Sequence, residues 1–351
     1  MPALRILLGP NGGAVVSKRA TPDWADVKDY GAVGDAIHDD TIAFQAAVDA
    51  SPECGTVYVP QGVFVLSRTI DTGSKIVHWV ADPGPLNAYP YRGPIIVGKV
   101  VGPLIRTIGP SVSGTGPTIR GLSLLNTAPT GGHGIWFEAL ADYSIIRDCQ
   151  VTCTGTGLYM ENVGGVVDAC VFSCGVANAV GSRGMLLQNR GTTVINPDVT
   201  GFEVGIQVSG VAAKIIGGRL ENNNVAVMNG VNAAGLDGAG GLVMFGTGFE
   251  ANDTAIEIHH GSVNLQSVNV LGSEISPSGQ SIHAIYIPGY ADNSVLMNCA
   301  FAGSYRVAAF KCTANPQVRF GIYNSFADNT LAPNTLWDTA GSGIVFTQCN
   351  N

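Results

Sequence analysis

Charge is scarce in this sequence. Asp, Glu, Lys and Arg make up only 13% of its 351 residues, about half the usual share. The 18 basic residues form no cluster and stand against 26 acidic ones, for a net charge of -8, which argues against nucleic acid as a partner. Long apolar runs are also missing. Gly, Asn, Asp or Ser breaks every run before the ~20 residues of a bilayer span, so no membrane insertion is expected. The opening MPALRILLGPNGG has a short apolar patch without a basic stretch ahead of it, so no secretory leader is read there. The eight cysteines show no CxxC metal spacing, and no phosphate loop or hydrolase triad is visible. No metal or cofactor is therefore expected.

Glycine, by contrast, is abundant, at 47 residues. It is costly inside helices, which excludes coiled coils and long helical bundles. An apolar content of 46% and a mean hydropathy of +0.24 exclude disorder. Short strands joined by tight turns remain, and the fold class read from composition is all-β.

The cysteines provide a ruler. Cys149 and Cys153 recur as Cys170 and Cys174 in the similar strings RDCQVTCTGTG and DACVFSCGVAN. Recurrence at one period fits small buried side chains stacked in a ladder better than disulfides, so reduced thiols and a cytosolic folding compartment are expected. Extended along the chain, the ruler aligns Val151, Phe172, Val199, Leu220, Phe249, Ile275, Phe301 and Phe326. A second column holds Ile135, Leu158, Met185, Ile206, Val227, Ile256 and Ile285. A third, less sharply registered, holds Ile145, Val166, Val194, Ile215, Val243, Val263 and Val295. A unit of three short strands cannot bury its apolar face alone, but stacked units can. The expectation is a right-handed parallel β-helix of about eleven turns, roughly 50 Å long at ~4.8 Å per turn.

Such a rod needs its end covered. The segment 26–67 reads as strand, glycine turn, helix and two strands, with Asp39 or Asp40 capping a helix over 41–50 whose Ile42, Ala46 and Val48 face the core. This segment resembles the N-terminal signature of the pectate-lyase-like superfamily, found in phage tailspikes and some glycan-cleaving enzymes. The residues that carry the resemblance are Asp29, Tyr30, Gly31, Ala32, Gly34, Asp35, Asp39, Asp40, Thr41, Gln45 and Ala46, then Gly55, Val57, Pro60 and Gly62. Ala36, where glycine is usual, and His38 depart from it. The resemblance implies architecture more strongly than chemistry. Residues 1–25 form a preceding segment suited to virion anchoring, and 26–351 a single β-helix domain.

Equivalent positions on successive turns lie one strand spacing apart, so acids in one column form a carboxylate pair. Glu221 and Glu250 follow the central apolar residue on consecutive turns, with Asp198 and Arg219 beside them. This set suits glycosidic cleavage, with Glu221, Glu250 and Asp198 as catalytic candidates and Arg219 as a substrate contact. The strings GGRLENN and GTGFEAN equally fit a corner motif in which Glu and Asn brace the backbone. A second pair, Glu138 and Glu161, stands beside Trp136 and Tyr159, a combination suited to sugar faces or to a subunit interface. GGHGIWFE is similar to the histidine motif of polygalacturonases, but the other elements of that family are absent, so His133 is set aside. Arg147 and Asp168 are expected to form a structural ion pair. The Pro- and Gly-rich stretch 81–94, with Tyr89, Tyr91 and Arg92, fits a lid or a closing loop.

The resemblance, taken with these residues, implies a phage tailspike-like protein, assembled as a homotrimer on the virion tail, that binds and depolymerises a bacterial surface polysaccharide. Hydrolysis by two carboxylates is the leading chemistry and eliminative cleavage of a uronate polymer the second. The alternatives are a noncatalytic glycan-binding or structural tail protein, and an extracellular polysaccharide lyase or hydrolase.

Overall fold

The computed structural model describes residues 24–82, 93–108, 116–188, 191–210, 213–230, 240–272, 276–279, 281–289, 294–303, 305–307 and 310–313, with backbone alone at 139–142. Short strands are also placed at 6–8, 14–16, 319–323, 326–327, 337–338 and 345–349.

Alternating apolar residues three to six at a time, punctuated by Gly and Asn, give each coil three short strands. One coil comprises Val204–Ser209, Ala213–Ile216 and Arg219–Glu221, and each strand pairs in parallel with its equivalent on the next coil: Val225–Asn229, Gly241–Phe245 and Gly248–Glu250. The third strands build a 12-stranded sheet. The first and second strands share a 22-stranded sheet, because Gly132–Arg147 and Thr156–Asp168 each run through both columns. The architecture is a right-handed parallel β-helix, as the periodicity required.

The interior is a set of apolar stacks. Ile105, Ile135, Leu158, Met185, Ile206, Val227, Ile256, Ile285 and Phe310 are successive register partners, so the second predicted column is correct at every position. The first column holds from Val151 to Phe249 and then departs. Phe249 pairs with Val270, which pairs with Phe301. Ile275 lies outside the described residues, and Phe326 pairs with Ala300, one place off the expected position. The third column mixed two faces. Val167, Val194, Ile215, Met244, Leu265 and Leu296 point inward, whereas Ile145, Val166, Val243 and Val295 lie in the adjacent outward register. A one-residue slip flips a strand side chain to the other face, and a column of β-branched residues looks alike on either.

One corner is invariant. Between second and third strands stand two residues on each of eight coils: Gly121–Leu122, Asp148–Cys149, Ala169–Cys170, Asn196–Pro197, Gly217–Gly218, Gly246–Thr247, Ser267–Val268 and Asn298–Cys299. The first of each pair has a left-handed backbone, which reverses the chain without lengthening the turn. The second faces the interior in most coils. Leu122, Cys149, Cys170, Val268 and Cys299 are all buried there, so the cysteine ladder is a corner ladder. On these eight coils the other two corners absorb the insertions, whereas on the preceding coil thirteen residues separate Val77–Ala81 from Ile95–Gly98 at this same corner. An eight-residue connection between Val171–Cys174 and Arg183–Gln188 separates Phe172 from Val199 by 27 residues, where neighbouring coils show 21.

The helix Thr41–Ala50 sits over the first coils. Asp40 holds the N-cap position but makes no side-chain cap bond; Asp39 supplies the carboxylate at this end, accepting from Thr41 N at 3.0 Å and Ser67 Oγ at 2.6 Å. Asp40 instead turns back to accept from Val33 N and Gly34 N. The buried face is Ala43, Phe44, Ala47 and Val48, shifted from the expected one: Ile42 is 76% exposed. Phe44 packs edge-on to Phe64 and stacks with Trp79. Ala36 holds φ +68°, the left-handed conformation that glycine adopts freely.

Candidate functional site

The outward face of the third column carries the acidic cluster. Arg219 pairs in register with Asp198 on one side and Gly248 on the other, while Glu221 pairs with Glu250. The Arg219 guanidinium reaches Asp198 Oδ2 and Glu221 Oε2, both at 3.3 Å. Desolvation works against its charge, but Asp198, Glu221 and Glu250 together hold it above its ordinary range. Glu250 is exposed, with no hydrogen bond or ion pair among the described residues. Beyond Arg219 the column falls away to Gly248, Asn269 and Ala300, and the neighbouring one to Ala302. The result is a shallow depression of about 320 Å³ bordered by Arg219 and Glu250 and floored by Phe249 and Val270.

The corner motif falls to the asparagines. Asn223 Nδ2 donates to the carbonyls of Val199 (3.1 Å) and Glu221 (3.0 Å), its Oδ1 accepts from Phe202 N, and Asn252 repeats the pattern one coil on, donating to Leu220 O at 2.8 Å. Both are buried. The glutamates project outward, free of that bracing role. Tyr89, Tyr91 and Arg92 lie outside the described residues.

A second constellation lies on the outward face of the first column. Arg106, Trp136 and Tyr159 are successive register partners, and so are Glu138 and Glu161. The Trp136 and Tyr159 rings are tilted with centroids 4.4 Å apart, and His133 stands edge-on to Trp136 at 5.0 Å. Glu138 accepts from Trp136 Nε1 and from Arg106 Nη2 at 3.2 Å. The Tyr159 hydroxyl spans Glu161 Oε2 (2.7 Å) and Gln188 Oε1 (3.0 Å). Burial, then the Glu161 hydrogen bond and the two carboxylates, push the phenol well above its usual range, so it acts as a fixed donor. His133 accepts from Thr156 N at 2.7 Å through Nδ1. Burial, and secondarily Arg183, pull its pKa down, keeping it neutral with its proton on Nε2. Sequence reading did not single out Arg106 or Gln188, and set His133 aside. Only coil-to-coil register, which aligns Arg106 with Trp136, contained that signal.

The structure therefore separates the sequence-predicted residues into two groups. Asp198, Arg219, Glu221 and Glu250 share the third face. Trp136, Tyr159, Glu138 and Glu161 share the first, on the two coils below. The groups are offset by two to three coils, ~12 Å along the axis at ~4.8 Å per strand, and lie around a corner from each other. Arg147 and Asp168 form the expected ion pair, with Nε to Oδ2 at 2.8 Å. Cys149, Cys153 and Cys170 are buried and Cys174 half-buried.

Comparison with known proteins follows this geometry. Residues 24–82 match the family model described as Rhamnogalacturonase A/epimerase, pectate lyase-like. A stretch of 59 residues is 41% identical to the plasmin and fibronectin-binding protein A of Streptococcus pneumoniae, covering 16% of this chain and 8% of that protein. Mannuronan C5-epimerase AlgE1 of Azotobacter vinelandii is 52% identical over 44 residues, covering 12% of this chain and 3% of the epimerase. The chain thus spans a small fraction of these curated relatives. Solved structures align over most of it: ORF18 of Geobacillus virus E2 (14% identity, 89% of this chain and 66% of that one, TM-score 0.60), the catalytic unit of a GH87 α-1,3-glucanase from Streptomyces thermodiastaticus (14%, 94% and 68%, 0.64) and the pre-mature gene product 12 of bacteriophage phi29 (13%, 85% and 49%, 0.58). Among the described residues no helix is long and apolar enough to cross a membrane. Residues 24–82 match the pectate lyase-like family model, and the coils that follow form a parallel β-helix.

Proposed function

We propose that the chain is a phage tailspike-like protein that binds a bacterial surface polysaccharide and cleaves it as a glycoside hydrolase, with Glu221 and Glu250 as its carboxylate pair. The observation that carries this reading is their register pairing on adjacent coils, with Glu221 held by Arg219 and Glu250, which has no hydrogen bond or ion pair among the described residues, lining the depression beside them. A separation near one strand spacing, ~4.8 Å, is closer to the ~5–5.5 Å of retaining enzymes than to the ~6.5–9.5 Å of inverting ones. Glu250 protonates the glycosidic oxygen. Glu221 attacks the anomeric carbon, and water, deprotonated by Glu250, releases the sugar. Asp198 anchors Arg219 from the coil below. Trp136 and Tyr159, with Glu138 and Glu161, offer a stacking platform to a more distant part of the polymer. Similarity of fold to ORF18 of Geobacillus virus E2 and to gene product 12 of bacteriophage phi29 supports a virion location, and the homotrimer rests on the resemblance of residues 26–67 to the tailspike signature.

Incubation with capsule, lipopolysaccharide and pectin panels tests the reading. New reducing ends without the ultraviolet absorbance of an unsaturated uronate indicate hydrolysis, and both signals together indicate a lyase. A second reading, a noncatalytic glycan-binding tail protein, draws on the mutual pairing of the first-face groups, which suits a rigid contact surface. Binding without either signal selects it.

A further inference from the structure

The two faces differ in chemistry but share a sign. On the third face three carboxylates, Asp198, Glu221 and Glu250, surround one cation, and Arg219 is already spent on two of them. On the first face Glu138 and Glu161 stand in one column, and Arg106 is committed to Glu138. Arg183 is half-buried and directs its guanidinium to Gln207 Oε1 and Gly181 O, and Arg147 is paired with Asp168. His133 is neutral. Among the described residues neither face presents an unengaged cation to a ligand.

This matters because acidic glycans need the opposite. A uronate brought against either face sets a carboxylate beside carboxylates, a repulsion that added salt screens. Elimination from a uronate also builds negative charge on its carboxyl group, which requires cations or strong donors aimed at that group. What these faces offer instead are acceptors: the remaining carboxylate oxygens of Glu161 and Glu250, beside an indole edge and a phenol. Sugar hydroxyl and amide N–H donors complement acceptors, and an uncharged pyranose face complements the Trp136 ring.

We infer that the glycan recognised by this protein is free of carboxylates, built from neutral or N-acetylated sugars, and that its bond is hydrolysed and not eliminated. The inference rests on the proposed polysaccharide-binding reading and narrows its substrate class.

The test is a binding panel of capsular polysaccharides and lipopolysaccharide O-chains of known composition, half containing uronic acids, measured by titration calorimetry at low and moderate salt. The bound members are expected to be uronate-free. Uronate polymers are expected to bind at least about tenfold more weakly, and to improve as salt screens the repulsion. Tightest binding to a uronate polymer, or unsaturated uronate among the products, overturns the inference while leaving polysaccharide binding intact. Failure to bind any polymer overturns the proposed function, and the inference with it. Glu138→Gln with Glu161→Gln supplies an independent readout: affinity for uronate polymers is expected to rise at least about tenfold, and unchanged discrimination in a folded variant overturns the charge argument.

Discussion

Glu221 and Glu250 are direct register partners on successive coils, yet only Glu221 is engaged by Arg219. This asymmetry gives two adjacent acids different surroundings. Glu250→Gln and Glu221→Gln are each expected to lower the rate of reducing-end release at least about 100-fold with the thermal midpoint unchanged, since neither carboxylate braces the backbone. Retention of full activity by both variants sinks the assignment of the pair.

Asn223 makes the opposite case. It is fully buried and bonds three backbone groups at the corner. Asn223→Ala leaves those groups unsatisfied and is expected to cost about 2–4 kcal/mol, seen as a lower midpoint in urea with the denaturant slope retained. A loss below about 0.5 kcal/mol is the result that contradicts this role.

Phe172 sits between Val151 and Val199 in the interior stack and is fully buried. Phe172→Ala opens a cavity between coils and is expected to cost about 3–5 kcal/mol. Phe172→Leu, which keeps most of the volume, is expected to cost less than half as much.

The cap has an acid-sensitive turn. Asp35 is held at about 2 against an ordinary 3.8, chiefly by the His38 N–H, then by the Ile37 N–H and the His38 ring. Because the folded value is depressed, its contribution is complete above 3.8 and is lost as the pH falls towards 2. The difference in thermal midpoint between the native chain and Asp35→Asn is expected to be constant at neutral pH and to vanish near pH 2, measured by circular dichroism. A difference that persists at that acidity contradicts the assignment.

Thiol reactivity follows the interior ladder. Burial, and then the neighbouring Cys174, push the Cys153 thiol up to about 12, so it stays protonated at mildly alkaline pH. Cys174, its half-buried register partner, is expected to alkylate at least about tenfold faster in the folded protein. Mass mapping after short exposure to iodoacetamide reads the order directly.

Why the coil pattern was legible while parts of the site were not is clear from particular residues. Ile135 to Ile285 repeat in register because each must fill the same interior slot. That constraint writes itself into sequence as a period. Val270 was passed over for Ile275 because both are β-branched residues that look like core. Only hydrogen-bond register distinguishes them. Glu221 and Glu250 were visible as a pair because the two adjacent coils that carry them share one corner geometry. Arg106 was invisible because it belongs to a coil below the cysteine ruler. The separation of Trp136 and Tyr159 from the glutamates depends on which face each column occupies, and periodicity along one dimension carries no record of angle around the axis.

The left-handed residue that recurs at Asp148, Ala169, Asn196 and Gly217 gives the molecule a seam of constant pitch. A whole rung can be excised between two equivalent points of that seam, such as 149 to 169, and the cut ends meet with their hydrogen-bonding partners one storey down. Rod length is thus a separable trait, open to gain or loss of single storeys, while the decorated flanks diversify independently.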